Sequence, residues 1–349
     1  MDLPESHDSL PGYPAPAQAL HIFGHDTHEA FLCSAYGSGK LHHALIFNGL
    51  PGIGKASFAF RFARHIIANA DWQHAPTQFE LNENPVVVRQ AAGGAHPQLL
   101  HLTRPVDAKS GKFKTQLTID ETRRIGRFLS HTVAGNGFRV VIIDPVNDMN
   151  ANAANALLKN LEEPTPRTLF ILIAHTTGRL LPTIRSRCLQ LQFNALNEDA
   201  MVQALDTLGV RQKLKSDEFT RLIALSEGSP RVAAMLADGG GLDILKAIET
   251  LLATAVFNPS AALRIGEALA ARDSEPLLML TIDLLFGRAA TQARELARED
   301  PSRAQLLAIL HHDLGTQIEQ ALRFNLDRRQ MVFDLLSRLH GTSRAAAAG

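Results

Sequence analysis

The sequence predicts an α/β domain built on a parallel sheet, followed by a small three-helix unit and an all-helical domain. Short apolar runs alternate with amphipathic segments up to about residue 193, and a glycine-rich loop follows the first of these runs. After residue 194 the strand patterns stop and helical patterns continue. We therefore expect a flexible arm over 1–22, a sheet domain over 23–195, a three-helix unit over 196–238 and a helical domain over 242–349.

Continuous apolar runs predict strands that are covered on both faces of a sheet. The clearest are 44–48, 140–144 and 168–174, and the alternation of Leu189, Leu191 and Phe193 predicts a further strand over 189–193. Weaker candidates lie at 99–103 and 115–119. Asp120 is a candidate N-cap for the helix that follows the second of these. The proline-rich first twenty residues are typical of a disordered arm.

Helical periodicity predicts the remainder of the chain. Three short helices are expected at 197–208, 217–226 and 231–237, and a triple-glycine segment follows them. Beyond Leu242 the pattern is helical throughout, with breaks near Pro259, Pro276 and Pro301.

The loop between the first strand and its helix carries a phosphate-binding pattern. Gly49, Gly52 and Gly54 precede Lys55 in the spacing G-x-x-x-x-G-K. Glycines allow backbone N–H groups to surround phosphate oxygens, and the lysine reaches the β- and γ-phosphates. This predicts a nucleotide-binding loop at the end of the first strand.

Two departures indicate that the loop hydrolyses nucleotide poorly. Ala56 stands where a serine or threonine hydroxyl would coordinate Mg²⁺, and Ser57 comes one residue too late. Asp144 ends an apolar strand and is suited to Mg²⁺. Pro145 follows it, where a hydrolytic enzyme of the oligomeric ATPase kind would usually carry a glutamate that orients the attacking water.

Charge, cysteine content and the length of the apolar runs exclude several classes of function. Lys+Arg and Asp+Glu are both 35, so the net charge is zero and gives no reason to expect tight, autonomous binding to nucleic acid. The two cysteines, Cys33 and Cys188, lie far apart and form no zinc ribbon, and no metal site is expected. Without an apolar leader or a run long enough to span a bilayer, a cytoplasmic location is expected.

The segment of the sequence that most specifically indicates a protein family lies between Val140 and Cys188. It reads V-V-I-I-D-P, then L-L-K-N-L-E-E-P, and ends in S-R-C. This text resembles bacterial DNA polymerase III clamp-loader subunits of the AAA+ class, and best the delta-prime type. Similar sequence occurs at Gly24-His25, His43-Ala44, Gly228 to Arg231 and Leu326-Asp327. The likeness thus covers nearly the whole chain, and the helical C-terminal third is matched mainly by layout.

The resemblance implies an AAA+ domain, a three-helix lid and a helical collar used for oligomerisation. In many relatives a four-cysteine zinc module interrupts the first domain. The corresponding stretch here, 71–96, contains no cysteine, so no zinc is expected.

The resemblance also assigns candidate roles. Arg187 of the S-R-C motif corresponds to an arginine that enters the nucleotide site of a neighbouring subunit; on residue chemistry alone it would be a structural arginine. Glu162 and Glu163 oppose the dipole of their helix, so we expect a basic group on the adjoining subunit to hold them. Arg231 corresponds to a nucleotide-sensing lid arginine and Thr176 to a sensor residue after the fourth strand.

The function that the resemblance implies is that of a subunit acting with the gamma/tau ATPase and delta subunits in a pentamer. Through that assembly it would help to load the sliding clamp onto primed DNA as part of the polymerase III holoenzyme, with no autonomous catalysis expected. ATP or ADP binding would be weak or vestigial, and Mg²⁺ would bind only with nucleotide.

Three alternatives remain. An autonomous ATPase, such as a motor subunit or a Holliday-junction helicase relative, would show turnover by the isolated chain. A small-molecule P-loop kinase would leave the S-R-C motif and the helical C-terminal region unexplained. A purely structural stator would bind nothing at the loop, and an ATP titration of the isolated protein would separate it from a subunit with a vestigial site.

Overall fold

The computed structural model describes residues 9–79, 84–107, 109, 111–130, 137–176, 178, 180–271, 274–324 and 326–345. The chain divides into two compact units, Met1–Ala233 and Ala234–Gly349. The first unit contains the sheet and the glycine-rich loop, and the second is helical. The finer expected division of the first unit, into a sheet domain and a lid, stays a prediction.

Among the described residues of the first unit, a five-stranded parallel sheet forms the centre. Its strands are β1 (Ala44–Asn48), β2 (Leu99–Leu102), β3 (Arg139–Ile143), β4 (Thr168–Ala174) and β5 (Leu189–Gln192). They lie in the order β2-β3-β4-β1-β5, and every pair is parallel. The expected strands at 44–48 and 168–174 are confirmed residue for residue. All seven residues of β4 are buried, which explains its unbroken apolar run.

Helices cover both faces of this sheet. They are α1 (Asp26–Gly37), α2 (Lys55–Ala68), α3 (Pro85–Ala92), α4 (Ile119–Ser130), α5 (Ala151–Glu162) and α6 (Pro182–Arg185). The helices α7 (Glu198–Thr207), α8 (Ser216–Leu225) and α9 (Pro230–Ala237) follow the sheet along the chain. Alternate strand residues enter different cores: Leu45 and Phe47 pack with α1 and α2, whereas Ala44 and Ile46 pack with α5. The period of two in the strands therefore builds two separate apolar layers. The three short helices expected after the sheet are confirmed as α7, α8 and α9.

The expected strand at 115–119 is wrong. Leu117 forms only an isolated bridge with Met149, in which its N–H donates to the Asp148 carbonyl (2.8 Å). The backbone then enters α4 at Ile119, so Asp120 lies inside the first turn and is not the N-cap. Its carboxylate accepts from Arg123 on the next turn (2.9 Å). The partner of Leu117 is a loop residue, so no ladder can extend from the bridge.

The prediction of a flexible arm over 1–22 is wrong for residues 16–19. Pro16–Gln18 forms a short 3-10 turn, and Ala17 is buried in the core of the first unit. Arg64 on α2 is also buried and donates to the carbonyl oxygens of Ala17 (2.7 Å) and Ala19 (2.6 Å). A guanidinium thus satisfies backbone groups that no secondary structure pairs. Residues 1–8 lie outside the described residues.

After α9, the described residues of the second unit form α10 (Gly241–Ala253), α11 (Pro259–Ala270), α12 (Glu275–Glu299), α13 (Pro301–Arg323) and α14 (Arg328–Ala345). The expected breaks are confirmed, since Pro259 and Pro301 each begin a helix and Pro276 lies in a first turn. On α14, Val332, Leu335, Leu336 and Leu339 are buried together with apolar residues of α10, α11, α12 and α13. Within the described part of the chain, no helix combines the length and apolar character required to cross a membrane.

His65 on α2 makes the stability of the first unit depend on pH. Its ring is buried among Tyr36, Phe62 and Phe79, and burial, helped by the nearby Arg61, lowers its pKa from 6.5 to about 4. As the pH falls below 6.5, the unfolded chain binds a proton that the folded chain accepts only near pH 4. The free energy of unfolding is therefore expected to fall across this window, by up to about 3 kcal/mol.

We predict that His65→Phe reduces this loss between pH 6.5 and 4, whereas His312→Phe, at an exposed position on α13, does not. Urea unfolding at a series of pH values measures the difference. Equal pH profiles for the two variants would contradict the assignment.

Candidate functional site

The glycine-rich loop joins the carboxyl end of β1 to the start of α2. Gly52 has φ +77°, and a Cβ there would lie 2.4 Å from Ser229 Oγ. A Cβ on Gly49 would lie 2.3 Å from the carbonyl oxygen of Phe193. The loop therefore needs glycine at these positions because other parts of the backbone approach it closely. The first N–H groups of α2 face this loop without partners in their own helix, which is the geometry that binds phosphate.

Lys55 is buried beneath the loop. Its ammonium donates to the carbonyl oxygens of Gly49 (2.7 Å) and Leu50. The lysine is thus positioned at the loop that the sequence pattern predicts. An ammonium donates to phosphate oxygens as it does to these carbonyl acceptors.

The start of α9 contacts the loop directly. Ser229 Oγ donates to the Pro51 carbonyl (3.3 Å), and the Arg231 N–H donates to the Gly52 carbonyl (3.3 Å). The structure therefore places the backbone of Arg231 against the loop, and its expected nucleotide-sensing role stays a prediction. Ser229 was missed by the sequence reasoning, although it stands within the recognised text around Gly228 to Arg231.

The groups expected to hold Mg²⁺ are incomplete. Ala56 offers no oxygen, and the side chain of Ser57 is turned about 100° further around α2. Asp144 is buried directly after β3, at the same edge of the sheet as the glycine loop. The residues present therefore fit a phosphate group better than a magnesium–phosphate complex.

Asn147 fixes the segment that follows β4. Its side-chain Nδ2 donates to the carbonyl oxygen of Thr176 (2.8 Å), and its Oδ1 accepts from the N–H of His175 (2.8 Å). This amide joins the ends of β3 and β4, which places Thr176 at the same edge as Asp144. The sequence reasoning missed Asn147, whose only signal is an amide shortly after the third strand. The nearby Asp148 forms an ion pair with Arg104.

His25 supports the loop from behind. Its ring is buried, and Nε2 donates to the carbonyl oxygen of Ile53 (2.8 Å). Burial lowers its pKa, and burial likewise lowers the pKa of His28, which stacks on Phe193. Near neutral pH a neutral His25 ring therefore supports the loop, and a neutral His28 ring stacks on Phe193. Within the described segments, no group of three or more His, Cys, Asp and Glu side chains could hold a metal ion.

Arg187 lies at the opposite edge of the sheet from the glycine loop. It follows α6 and precedes β5, whose Leu189 pairs with Leu45 of β1. Leu45 lies four residues before Gly49, a distance of about 13 Å along a strand. The sheet therefore separates Arg187 from the loop of its own chain.

The Arg187 guanidinium is bound by its own chain. Nη2 pairs with Glu162 Oε1 (2.8 Å), and Nη1 donates to the Thr183 carbonyl (2.9 Å). The expectation that a basic group of an adjoining subunit holds Glu162 is thus wrong for this carboxylate, because Arg187 holds it within the chain. Both side chains are partly exposed (35% and 48%), so the pair contributes roughly 0.2–1 kcal/mol to stability.

Cys188 follows Arg187 but has a packing role. It is buried in the core that α5 and α6 share, and burial raises the pKa of its thiol to about 12. The thiol therefore stays protonated at neutral pH and is a poor nucleophile. This confirms the interpretation of Cys188 as a small core residue.

The strand order, the glycine loop after β1 and the acid after β3 define an α/β P-loop domain of the AAA+ class. A family model described as "DNA polymerase III, delta subunit" matches residues 24–197, half of the chain. The chain belongs to the DNA polymerase III clamp-loader family and is delta-prime-like.

Individual relatives show how far the likeness extends. The chain is 33% identical to DNA polymerase III subunit delta' of Pseudomonas aeruginosa over 57% of its own length and 56% of that protein. It is 26% identical to subunit tau of Escherichia coli over 88% of its own length and 45% of that protein. The chain thus spans about half the length of these relatives. A gamma subunit-related structure from Thermotoga maritima aligns with 91% of this chain and 99% of its own, at 16% identity and a TM-score of 0.43.

The contact between α9 and the loop gives a test of the site geometry. Gly52→Ala places a Cβ 2.4 Å from Ser229 Oγ and 2.7 Å from Arg231 Cβ, whereas Gly94, which also has positive φ, has open space around it. Both variants strain the backbone, but only the first is overpacked. We predict that Gly52→Ala lowers the free energy of unfolding by about 1–3 kcal/mol more than Gly94→Ala. Urea denaturation measures both, and equal losses would show that α9 does not rest on the loop.

Proposed function

We propose that this chain is a delta-prime-like subunit of a DNA polymerase III clamp loader that donates Arg187 to the nucleotide site of a neighbouring ATPase subunit. In this proposal it joins gamma/tau-type ATPase subunits and a delta subunit in a ring-like pentamer. The assembly loads the sliding clamp onto primed DNA, which places the activity in the cytoplasm. The second unit of the chain serves as the oligomerising collar.

The position of Arg187 is the observation that carries the proposal. Its guanidinium lies at the amino-terminal edge of the parallel sheet, whereas the glycine loop lies at the carboxyl edge. An arginine that serves a nucleotide from this position must serve one held by another chain. Its planar, always charged fork suits the oxygens of a transferring phosphoryl group.

The loop of this chain is proposed to bind nucleotide weakly or not at all. If ATP or ADP binds, Lys55 and the first amides of α2 would hold the phosphates, and Arg231 would contact them from α9. Asp144 would share in binding Mg²⁺, which enters only with nucleotide and would supply charge neutralisation. The absent hydroxyl at Ala56 and the proline at 145 support a site that does not turn over efficiently.

Contacts with DNA are proposed to belong to the assembly. The chain has no net charge, so it lacks the long-range attraction that drives autonomous binding to nucleic acid. The chain would therefore act on DNA through partners that it positions.

The autonomous ATPase is the second candidate, and the glycine loop favours it. Lys55 is buried at the loop, and Gly52 has φ +77°, a backbone conformation that favours glycine in a phosphate-binding loop. In that case the loop of this chain would hydrolyse ATP, and loss of Lys55 would lower the ATPase rate more than loss of Arg187.

The deciding experiment compares Arg187→Ala and Lys55→Ala in the reconstituted loader by measuring ATPase activity stimulated by primed DNA. We predict that Arg187→Ala reduces the rate at least about threefold, because an arginine finger contributes 10³ or more at the site it serves. Arg187→Lys should behave similarly, since an ammonium cannot reproduce the fork.

Lys55→Ala should retain most of the ATPase rate that primed DNA stimulates. The reverse pattern, with loss in Lys55→Ala and normal turnover in Arg187→Ala, would support the autonomous ATPase. Assembly must be checked for each variant by size-exclusion chromatography, and failure of the wild-type chain to assemble with the ATPase subunits would refute the proposal.

A further inference from the structure

Glu162 forms an ion pair with the Arg187 guanidinium, the group on which the proposed function depends. Arg187 Nη2 lies 2.8 Å from Glu162 Oε1, and Nη1 donates to the Thr183 carbonyl at 2.9 Å. A weaker contact joins Nη1 to Ser186 Oγ at 3.4 Å. Both terminal nitrogens of the guanidinium are therefore bound to acceptors of its own chain.

A carboxylate and a phosphoryl group compete for the same guanidinium donors. Both are anionic oxygen acceptors that match the planar fork of arginine. While Glu162 pairs with Arg187, its charge offsets part of the positive charge that a neighbouring nucleotide would receive. Since both side chains are partly exposed, the pair is weak enough for a multiply charged phosphate to displace the carboxylate.

The position of Glu162 makes this pairing specific. Glu162 is the last residue of α5, where the helix dipole disfavours an anion, and Arg187 provides the compensating charge. Glu163, the next residue, is also exposed but forms no ion pair with another described residue. The two adjacent acids thus differ in their access to Arg187.

We propose that Glu162 holds Arg187 in a retracted position before the neighbouring nucleotide engages it, so that Glu162 restrains ATP hydrolysis until primed DNA brings the subunits together. This inference rests on the proposed trans role of Arg187. Glu162 acts only through Arg187 and is a positioning residue. When the phosphoryl group takes over Nη2, the carboxylate returns to solvent.

The test uses the reconstituted loader with Glu162→Gln, which removes the charge and keeps a hydrogen-bond acceptor, and with Glu163→Gln as the matched control. We expect Glu162→Gln to raise the ATPase rate without DNA about two- to fivefold, the range that a partly exposed ion pair supports. The maximal rate with primed DNA should not change, so the stimulation ratio should fall. Glu163→Gln should alter neither rate.

Two further measurements distinguish restraint of Arg187 by Glu162 from a purely structural contact between α5 and α6. In the isolated full chain, the NMR signal of the Arg187 guanidinium should shift in Glu162→Gln and not in Glu163→Gln, whatever Arg187 does in the assembly. In the loader, the double variant Glu162→Gln/Arg187→Ala should have the rate of Arg187→Ala alone. A purely structural tie between α5 and α6 would instead lower the melting temperature and leave the stimulation ratio unchanged.

The outcomes distinguish this inference from the proposed function. A rate without DNA that is unchanged or lower in Glu162→Gln, alongside a clear loss in Arg187→Ala, would overturn the restraining role only. Normal rates in Arg187→Ala would overturn the trans role of Arg187, and the restraining role with it.

Discussion

The parallel direction of all five strands is the constraint on which the rest of the first unit depends. Because every strand runs the same way, all the carboxyl ends meet at one edge and all the amino ends at the other. The glycine loop, Asp144 and Thr176 therefore gather at the carboxyl edge, and Arg187 lies with Glu162 at the amino edge. The chain thus has the glycine loop on one side and a charged arginine on the other, which is the division that the proposed function requires.

The two edges differ in how complete their chemistry is. At the carboxyl edge the loop has its glycines and Lys55, and the start of α9 covers it through Ser229 and Arg231. The oxygen that would complete Mg²⁺ binding is missing at Ala56. At the amino edge the guanidinium is partly exposed and held by a weak pair, so it can change partners at little cost. The proposed function rests on this difference, since Arg187 is partly exposed in a weak ion pair and Ala56 offers no hydroxyl.

Patterns with a strong local cause predicted the fold well, and features that depend on distant contacts were missed. The uninterrupted apolar runs of β1 and β4 fixed those strands because burial on both faces excludes polar residues. The arm was predicted wrongly because its anchor is Arg64, some 45 residues away in sequence. The false strand at 115–119 had the right alternation but pairs only with a loop residue. The sequence placed Lys55 and Arg231 at the loop, but nothing local indicated that Asn147 joins two strand ends or that Glu162 binds Arg187.

The most direct test of the central claim is a structure of the assembled loader with Mg²⁺, ADP and aluminium fluoride, which imitates a phosphoryl group in transfer. The account predicts that the Arg187 guanidinium lies about 2.7–3.2 Å from the fluoride ligands in the neighbouring subunit and has left Glu162. It also predicts no such complex in the glycine loop of this chain. Arg187 still paired with Glu162 in every loaded assembly, with the complex bound above Lys55, would contradict it.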